Sequence, residues 1–135
     1  MIPVRERLYA FPLVAIPAIS AVGLGYLLVI AGQAFAKITA GASASALPQL
    51  ATLFLQYAGP RPDHAPPVQS FCNWLSVGIA AAGFFLVHRM DRDQIWRVLI
   101  IHVSISWAIQ VALLAFTLAA MSVPFLPFAD VIKAG

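Results

Sequence analysis

Residues 11–36 read FPLVAIPAISAVGLGYLLVIAGQAFA, without one lysine, arginine, aspartate or glutamate. Two later stretches, 71–87 and 98–123, also lack these four residue types. A helix needs about 20 mostly apolar residues to cross the hydrocarbon core of a bilayer, with about 17 to 25 as the working range. All three stretches meet this length, the second at the lower limit. The sequence therefore predicts three membrane-spanning helices.

The composition supports a membrane protein. The chain has 135 residues, of which 61% are hydrophobic and 10% charged, whereas soluble domains carry about 25% charged residues. A soluble domain of this size could not bury so much apolar surface, because small domains bury a smaller share of their surface. We therefore expect an all-α integral membrane protein, with residues 1–135 forming one membrane domain.

The distribution of basic residues predicts the topology. Five lie before the first span or between the second and third: Arg5, Arg7, Arg89, Arg92 and Arg97. Three lie on the other side: Lys37, Arg61 and Lys133. Because cytoplasmic loops are enriched in lysine and arginine, we expect the N-terminus and the turn 88–97 inside. The loop 37–70 and the C-terminus are then outside.

A signal peptide is an alternative interpretation of the first apolar stretch. Arg5 and Arg7 precede it, and Ala34-Phe35-Ala36 at its end resembles a small-residue cleavage site. The stretch is longer than the usual apolar region of a signal peptide, about 7 to 15 residues. We therefore expect it to stay as a membrane anchor; cleavage would leave two spans.

Residues 47–58, in the outside loop, have an amphipathic pattern. Leu47, Leu50, Leu53 and Phe54 recur at helical spacing. Pro48 suits the first helical turn, where its missing N–H costs nothing. This pattern predicts a short helix lying at the outer membrane–water interface.

Two sets of residues indicate helix packing. His102, Ser106 and Gln110 are spaced by four and share one face of the third span, where polar groups seek partners. Small residues permit close helix approach. They occur at Ala21 and Gly25, at Gly78 and Ala82, and in a stripe on the third span formed by Ala108, Ala112, Ala115 and Ala119.

His102 is also the strongest candidate for a cofactor ligand. A histidine within a span can ligate haem b or relay protons, and His88 is the other histidine near a span that could serve as second axial ligand. The alternative role for His102 is a hydrogen bond to a neighbouring helix, which we favour, so we expect no cofactor. The single cysteine, Cys72, excludes an internal disulfide and cysteine-rich metal sites. No metal site is predicted.

The outside loop resembles one membrane-protein family. The segment Leu47-Pro48-Gln49-Leu50-Ala51-Thr52-Leu53-Phe54, followed by Gly59 and Pro66-Pro67, is similar to the inner-membrane platform proteins of type II secretion and type IV pili. The exit through Pro124-Phe125-Leu126, with Phe128 and Val131-Ile132, is similar as well. The chain lacks the family's cytoplasmic helical bundles, so the resemblance concerns the membrane part. It implies a bacterial inner-membrane location.

Three functions remain open from the sequence. We expect a non-enzymatic scaffold or accessory subunit of a larger inner-membrane assembly, whose partners are other membrane proteins or further copies of itself. The alternative is a three-span anchor subunit of a respiratory complex, binding haem or quinone near His102, and so a non-catalytic part of an enzyme. A small transporter is disfavoured because the spans contain no charged residues. Nucleic-acid binding is not expected, since no basic cluster interleaved with aromatic residues occurs.

Overall fold

The computed structural model describes residues 4–41, 47–89 and 92–125, and every regular element within these ranges is helical. Helix α1 runs over Val4–Thr39, α2 over Gln49–Ala58, α3 over Pro67–Arg89 and α4 over Arg92–Ser122, followed by a 3-10 turn at Val123–Phe125. Helices α1, α3 and α4 are long and apolar enough to cross a membrane. The predicted all-α architecture with three candidate membrane helices is confirmed.

The helices are longer than the apolar stretches that predicted them. Helix α1 has 36 residues, about 54 Å at about 1.5 Å per residue, compared with about 30 Å for the hydrocarbon core. It includes Arg5 and Lys37. A helix forms its backbone hydrogen bonds within itself, so it can continue past the last apolar residue. Most of the predicted turn 88–97 is also helical, since α3 ends at Arg89 and α4 begins at Arg92.

Some predicted features lie outside the described residues. They are the loop segment 42–46, Asp91, and the predicted apolar tail from Leu126 onward, with Phe128, Val131, Ile132 and Lys133.

Helices α1 and α3 pack against each other in antiparallel directions at glycine contacts. A Cβ placed on Gly25 would lie 2.8 Å from the Cβ of Cys72, and a Cβ placed on Gly83 would meet the side chain of Val14. Between these two contacts, buried Ala18, Ala21 and Ile79 form a small cluster. The predicted small-residue pair Ala21 and Gly25 therefore lies in this interface.

Helix α2 covers one end of the bundle. Its buried face consists of Ala51, Phe54 and Ala58. These residues join a core cluster with Leu28 and Phe35 of α1, Val68 and Cys72 of α3, and Ala120 of α4. The Phe35 and Phe54 rings meet edge to face, with centroids 5.9 Å apart. A Cβ on Gly32 would meet the Ala58 carbonyl oxygen, so α1 and the end of α2 approach as closely as backbones allow.

The face of α2 that packs on the bundle is not the whole apolar face that the amphipathic pattern defines. Phe54 is buried, Leu50 packs at the margin of the cluster, and Leu53 is 39% exposed. Alanines supply the rest of the buried face because the neighbouring backbones lie too close for leucine. Pro48 directly precedes the helix, and its carbonyl accepts the Thr52 N–H at 3.1 Å.

The opposite end of the bundle has a separate apolar cluster. Ala10 and Val14 of α1 pack there with Val87 of α3 and with Ile95 and Leu99 of α4. The polar contacts described next lie between the two end clusters.

Candidate functional site

Gln110 links α4 to α1. Its side chain is 4% exposed. Nε2 donates to the Pro17 carbonyl oxygen at 3.0 Å, and the Ser20 hydroxyl lies 2.7 Å from Oε1. Buried amides are costly unless they are hydrogen-bonded. This buried polar side chain therefore has a partner for both ends of its amide.

The donor and acceptor roles of the three groups fix the direction of each hydrogen bond in this contact. Amide Oε1 is only an acceptor, so the Ser20 hydroxyl must donate its one hydrogen to Gln110. The Pro17 carbonyl, also 3.0 Å from the Ser20 oxygen, then accepts from Nε2 instead. Pro17 lies in the interior of α1, which begins at Val4.

His102 links α4 to α3. Its Nε2 lies 3.1 Å from the Ile79 carbonyl oxygen. Because that oxygen can only accept, the geometry requires the tautomer with a hydrogen on Nε2. Ile79 lies one helical turn before Gly83, which contacts Val14 of α1, so His102 binds α3 beside its contact with α1.

Ser106 does not link helices, although it lies between the other two polar residues. It is 3% exposed, and its hydroxyl donates to the His102 carbonyl of its own helix at 2.8 Å. Thr117 behaves similarly, donating to the Leu113 carbonyl at 2.9 Å. The predicted polar row therefore contains two interhelical contacts, to different helices, and one local contact.

The small-residue stripe of α4 faces away from the bundle. Ala108, Ala112, Ala115 and Ala119 are all exposed, and so is Ser104. At about 100° per residue these positions fall within about 80° of the helix circumference. They lie opposite Ser106, Gln110 and Thr117, which are buried. Within the described chain, no other helix covers this stripe.

The other predicted packing residues, Gly78 and Ala82, are also exposed. A Cβ on Gly78 would meet nothing within 4 Å among the described residues. The contact of α3 with α1 falls on Ile79 and Gly83 instead. Five of the six residues from Gly78 to Gly83 are glycine or alanine, so the sequence could not distinguish the packed face from the outer face.

The structure does not bring the two candidate haem ligands together. Nδ1 of His88 lies 3.0 Å from the Phe84 carbonyl, whereas His102 binds the Ile79 carbonyl. Five residues separate these carbonyls, which is about 7.5 Å along α3 and about 140° around it. One iron would need both ring nitrogens at bonding distance on opposite sides. These residues do not fit a two-histidine haem site. No group of three or more metal-binding side chains occurs in the described ranges.

A long groove runs between α1 and α3, with a volume of about 920 Å³. Its walls are mostly apolar and include Phe11, Ala15, Ala80 and Phe84. Two basic side chains line one end: Arg7 and His88. The Nε of Arg7 is buried and has no hydrogen-bond partner among the described residues.

Sequence reasoning missed the partners of the polar row. Ser20 could have been noticed, because it is the one serine or threonine within 11–36. The carbonyls of Pro17 and Ile79 carry no sequence signal, since every residue has one. Gly32 and Gly83 look like the other glycines of the spans until the neighbouring helix is in place.

Comparisons of the chain with known protein families, curated proteins and solved structures found no significant match.

Proposed function

We propose that this protein is a non-enzymatic membrane subunit that packs through the outer stripe of α4 against helices of other membrane proteins or of further copies. The observation that supports this most is the exposure of Ala108, Ala112, Ala115 and Ala119 on one face. Lipid tails are as apolar as leucine, so helices in a bilayer associate by close packing and hydrogen bonds. The continuous alanine stripe permits close packing, and Ser104 at one end supplies a hydroxyl for a hydrogen bond.

The polar groups of α4 support the same role. His102 and Gln110 bind carbonyls within the chain, so their polar groups are satisfied internally and the alanine face is available for a partner. This arrangement gives no support to the alternative, a haem- or quinone-binding anchor subunit.

The resemblance of Leu47–Phe54 and of the Pro124 exit extends the proposal to one assembly, the inner-membrane platform of type II secretion or type IV pili. In that setting the N-terminus and the α3–α4 turn are cytoplasmic. Helix α2 then lies at the outer interface of a bacterial inner membrane. The arginines around the α3–α4 turn support this orientation.

The experiment compares two alanine-to-leucine variants in native membranes. Ala112→Leu fills the stripe, whereas Ala34→Leu is a control on an exposed position of α1. After mild solubilisation, we expect wild type and Ala34→Leu to run in a larger complex on native gels and Ala112→Leu to run mainly as the free chain. Free wild-type chain, or equal behaviour of the two variants, would refute the proposal.

The identity of the co-purified partner tests the assembly. Secretion or pilus inner-membrane proteins would support the platform assignment, and a dehydrogenase or oxidase would overturn it. A visible absorption spectrum provides an independent check: a Soret band that vanishes in His102→Ala would favour the anchor subunit instead.

A further inference from the structure

The groove between α1 and α3 is on a different face from the alanine stripe of α4. Along α1 it extends from Arg7 to Tyr26, about 28 Å at about 1.5 Å per residue. The half nearest Arg7 therefore has about the depth of one leaflet of the hydrocarbon core, which is about 30 Å thick in all. Its apolar walls suit an acyl chain.

The end of the groove near Arg7 is basic. Arg7 and His88 line it directly, and the Arg89 guanidinium lies 5.7 Å from the centre of the Phe85 ring on the last turns of α3. The sequence before the first span and between the second and third has five arginines and three acidic residues, Glu6, Asp91 and Asp93. The groove therefore joins an apolar channel to a site with excess positive charge.

We propose that the groove binds one phospholipid with an anionic headgroup. The headgroup phosphate lies at Arg7, and one acyl chain occupies the half of the groove lined by Phe11, Ala80 and Phe84. A guanidinium binds phosphate through paired, charge-assisted hydrogen bonds. The Nε of Arg7 is buried and has no hydrogen-bond partner in the described part of the chain, so we place the phosphate at the terminal nitrogens of the guanidinium rather than at Nε.

The charge complementarity favours a lipid over another helix at this position. Basic pockets between membrane helices bind acidic headgroups, whereas an apolar partner helix would supply no anion for Arg7. We expect an acidic lipid to bind more tightly than a zwitterionic one, because the net negative charge of its headgroup is attracted to the net positive charge of the site. This inference does not depend on the proposed function, since it uses the other face of the bundle.

The test is native mass spectrometry of the full chain in detergent with equal amounts of two lipids. The lipids are a phosphatidylglycerol and a phosphatidylcholine with identical acyl chains. We expect one phosphatidylglycerol to be retained in preference to phosphatidylcholine. Arg7→Gln should lower its retention about fivefold, which corresponds to about 1 kcal/mol for one basic residue at an acidic lipid surface. Arg61→Gln is the control, because Arg61 is at the other end and donates to the Gln56 carbonyl.

A second pair of variants tests the acyl chain. Ala80 and Ala81 are neighbouring exposed alanines of α3, but only Ala80 lines the groove. We expect Ala80→Leu to reduce lipid retention at least threefold and Ala81→Leu to leave it unchanged.

Three results would overturn the proposal. They are equal retention of the two lipids by wild type, equal effects of Arg7→Gln and Arg61→Gln, and equal effects of the two leucine variants. A disulfide between two copies carrying Ala80→Cys in a Cys72→Ala background would also overturn it, because a second chain would then occupy the groove.

Discussion

The α1–α3 interface and the attachment of α4 show two different ways to join helices in an apolar medium. Helices α1 and α3 meet at glycines, where a Cβ on Gly25 or Gly83 would collide with the neighbouring helix. Helix α4 adds hydrogen bonds from Gln110 and His102 to its apolar contacts at Ile95, Leu99 and Ala120. The first kind depends on shape and tolerates no added volume, whereas the second depends on a few polar atoms.

Overpacking a glycine contact and losing an interhelical hydrogen bond are expected to lower the free energy of unfolding by different amounts. Overpacking a tight interface costs about 1–3 kcal/mol and occasionally more. Interhelical hydrogen bonds in membrane proteins contribute about 0.6 kcal/mol on average and about 1.7 kcal/mol at most. We therefore expect substitutions in the glycine contacts to have larger effects than loss of the polar contacts.

The largest effect is expected for Gly83→Leu. The leucine side chain would have to push Val14 of α1 away from α3. We therefore expect the free energy of unfolding to fall by about 3 kcal/mol. Gly78→Leu is the control, because a Cβ there meets nothing within 4 Å. Unfolding in mixed micelles with increasing dodecyl sulfate measures both. Equal stability of the two variants would show that α1 and α3 do not meet at Gly83.

The next effect tests the contact between α1 and α2. Gly32→Ala places a Cβ against the Ala58 backbone, which cannot rotate away, and we expect a loss of about 2 kcal/mol. Gly23→Ala on the same helix meets nothing within 4 Å and should raise stability by about 0.5–1 kcal/mol, as alanine is the better helix former. The same unfolding assay applies, and opposite signs for the two variants are the expected outcome. A loss at both positions would contradict the described position of α2.

Loss of the α1–α4 contact should have a smaller effect. Gln110→Leu removes the donor to Pro17, but the Ser20 hydroxyl can then donate to that carbonyl, only 3.0 Å away. We expect a loss of about 1 kcal/mol. Gln33→Leu, at an exposed position of α1, should change stability by less than about 0.5 kcal/mol. A loss at Gln110 above about 3 kcal/mol would reverse the ranking of the two kinds of contact.

The smallest effect is expected for His102→Leu. The Ile79 carbonyl keeps its helical N–H donor, so only an additional bond is lost, and we expect about 0.6 kcal/mol. His102→Gln, whose amide can still donate, should recover part of this loss in the same assay. Full stability in the leucine variant together with a loss in the glutamine variant would count against the contact with Ile79.

The difference between shape-dependent and polar contacts also explains which features the sequence could predict. Helix number and type follow from the apolar stretches, because length and composition decide whether a helix can cross a bilayer. The polar row on α4 was found because His102, Ser106 and Gln110 break an apolar pattern. Which of these residues reaches another helix depends on the rotation of each helix, and that rotation is set by contacts such as Gly83 with Val14. The residues from Gly78 to Gly83 are small except for Ile79 and leave this rotation open. The small-residue pattern therefore predicts Gly78 and Ala82 on the packed side, whereas both are exposed.

The most direct test of the account is the rotation of α4. Nitroxide labels placed singly at positions 104–119, in a Cys72→Ala background with one chain per lipid nanodisc, report the accessibility of each position to dissolved oxygen. We predict a helical period with maxima at Ala108, Ala112, Ala115 and Ala119 and minima at Ser106, Gln110 and Thr117. Maxima at the polar positions would contradict both the internal hydrogen bonds of α4 and the outward alanine stripe.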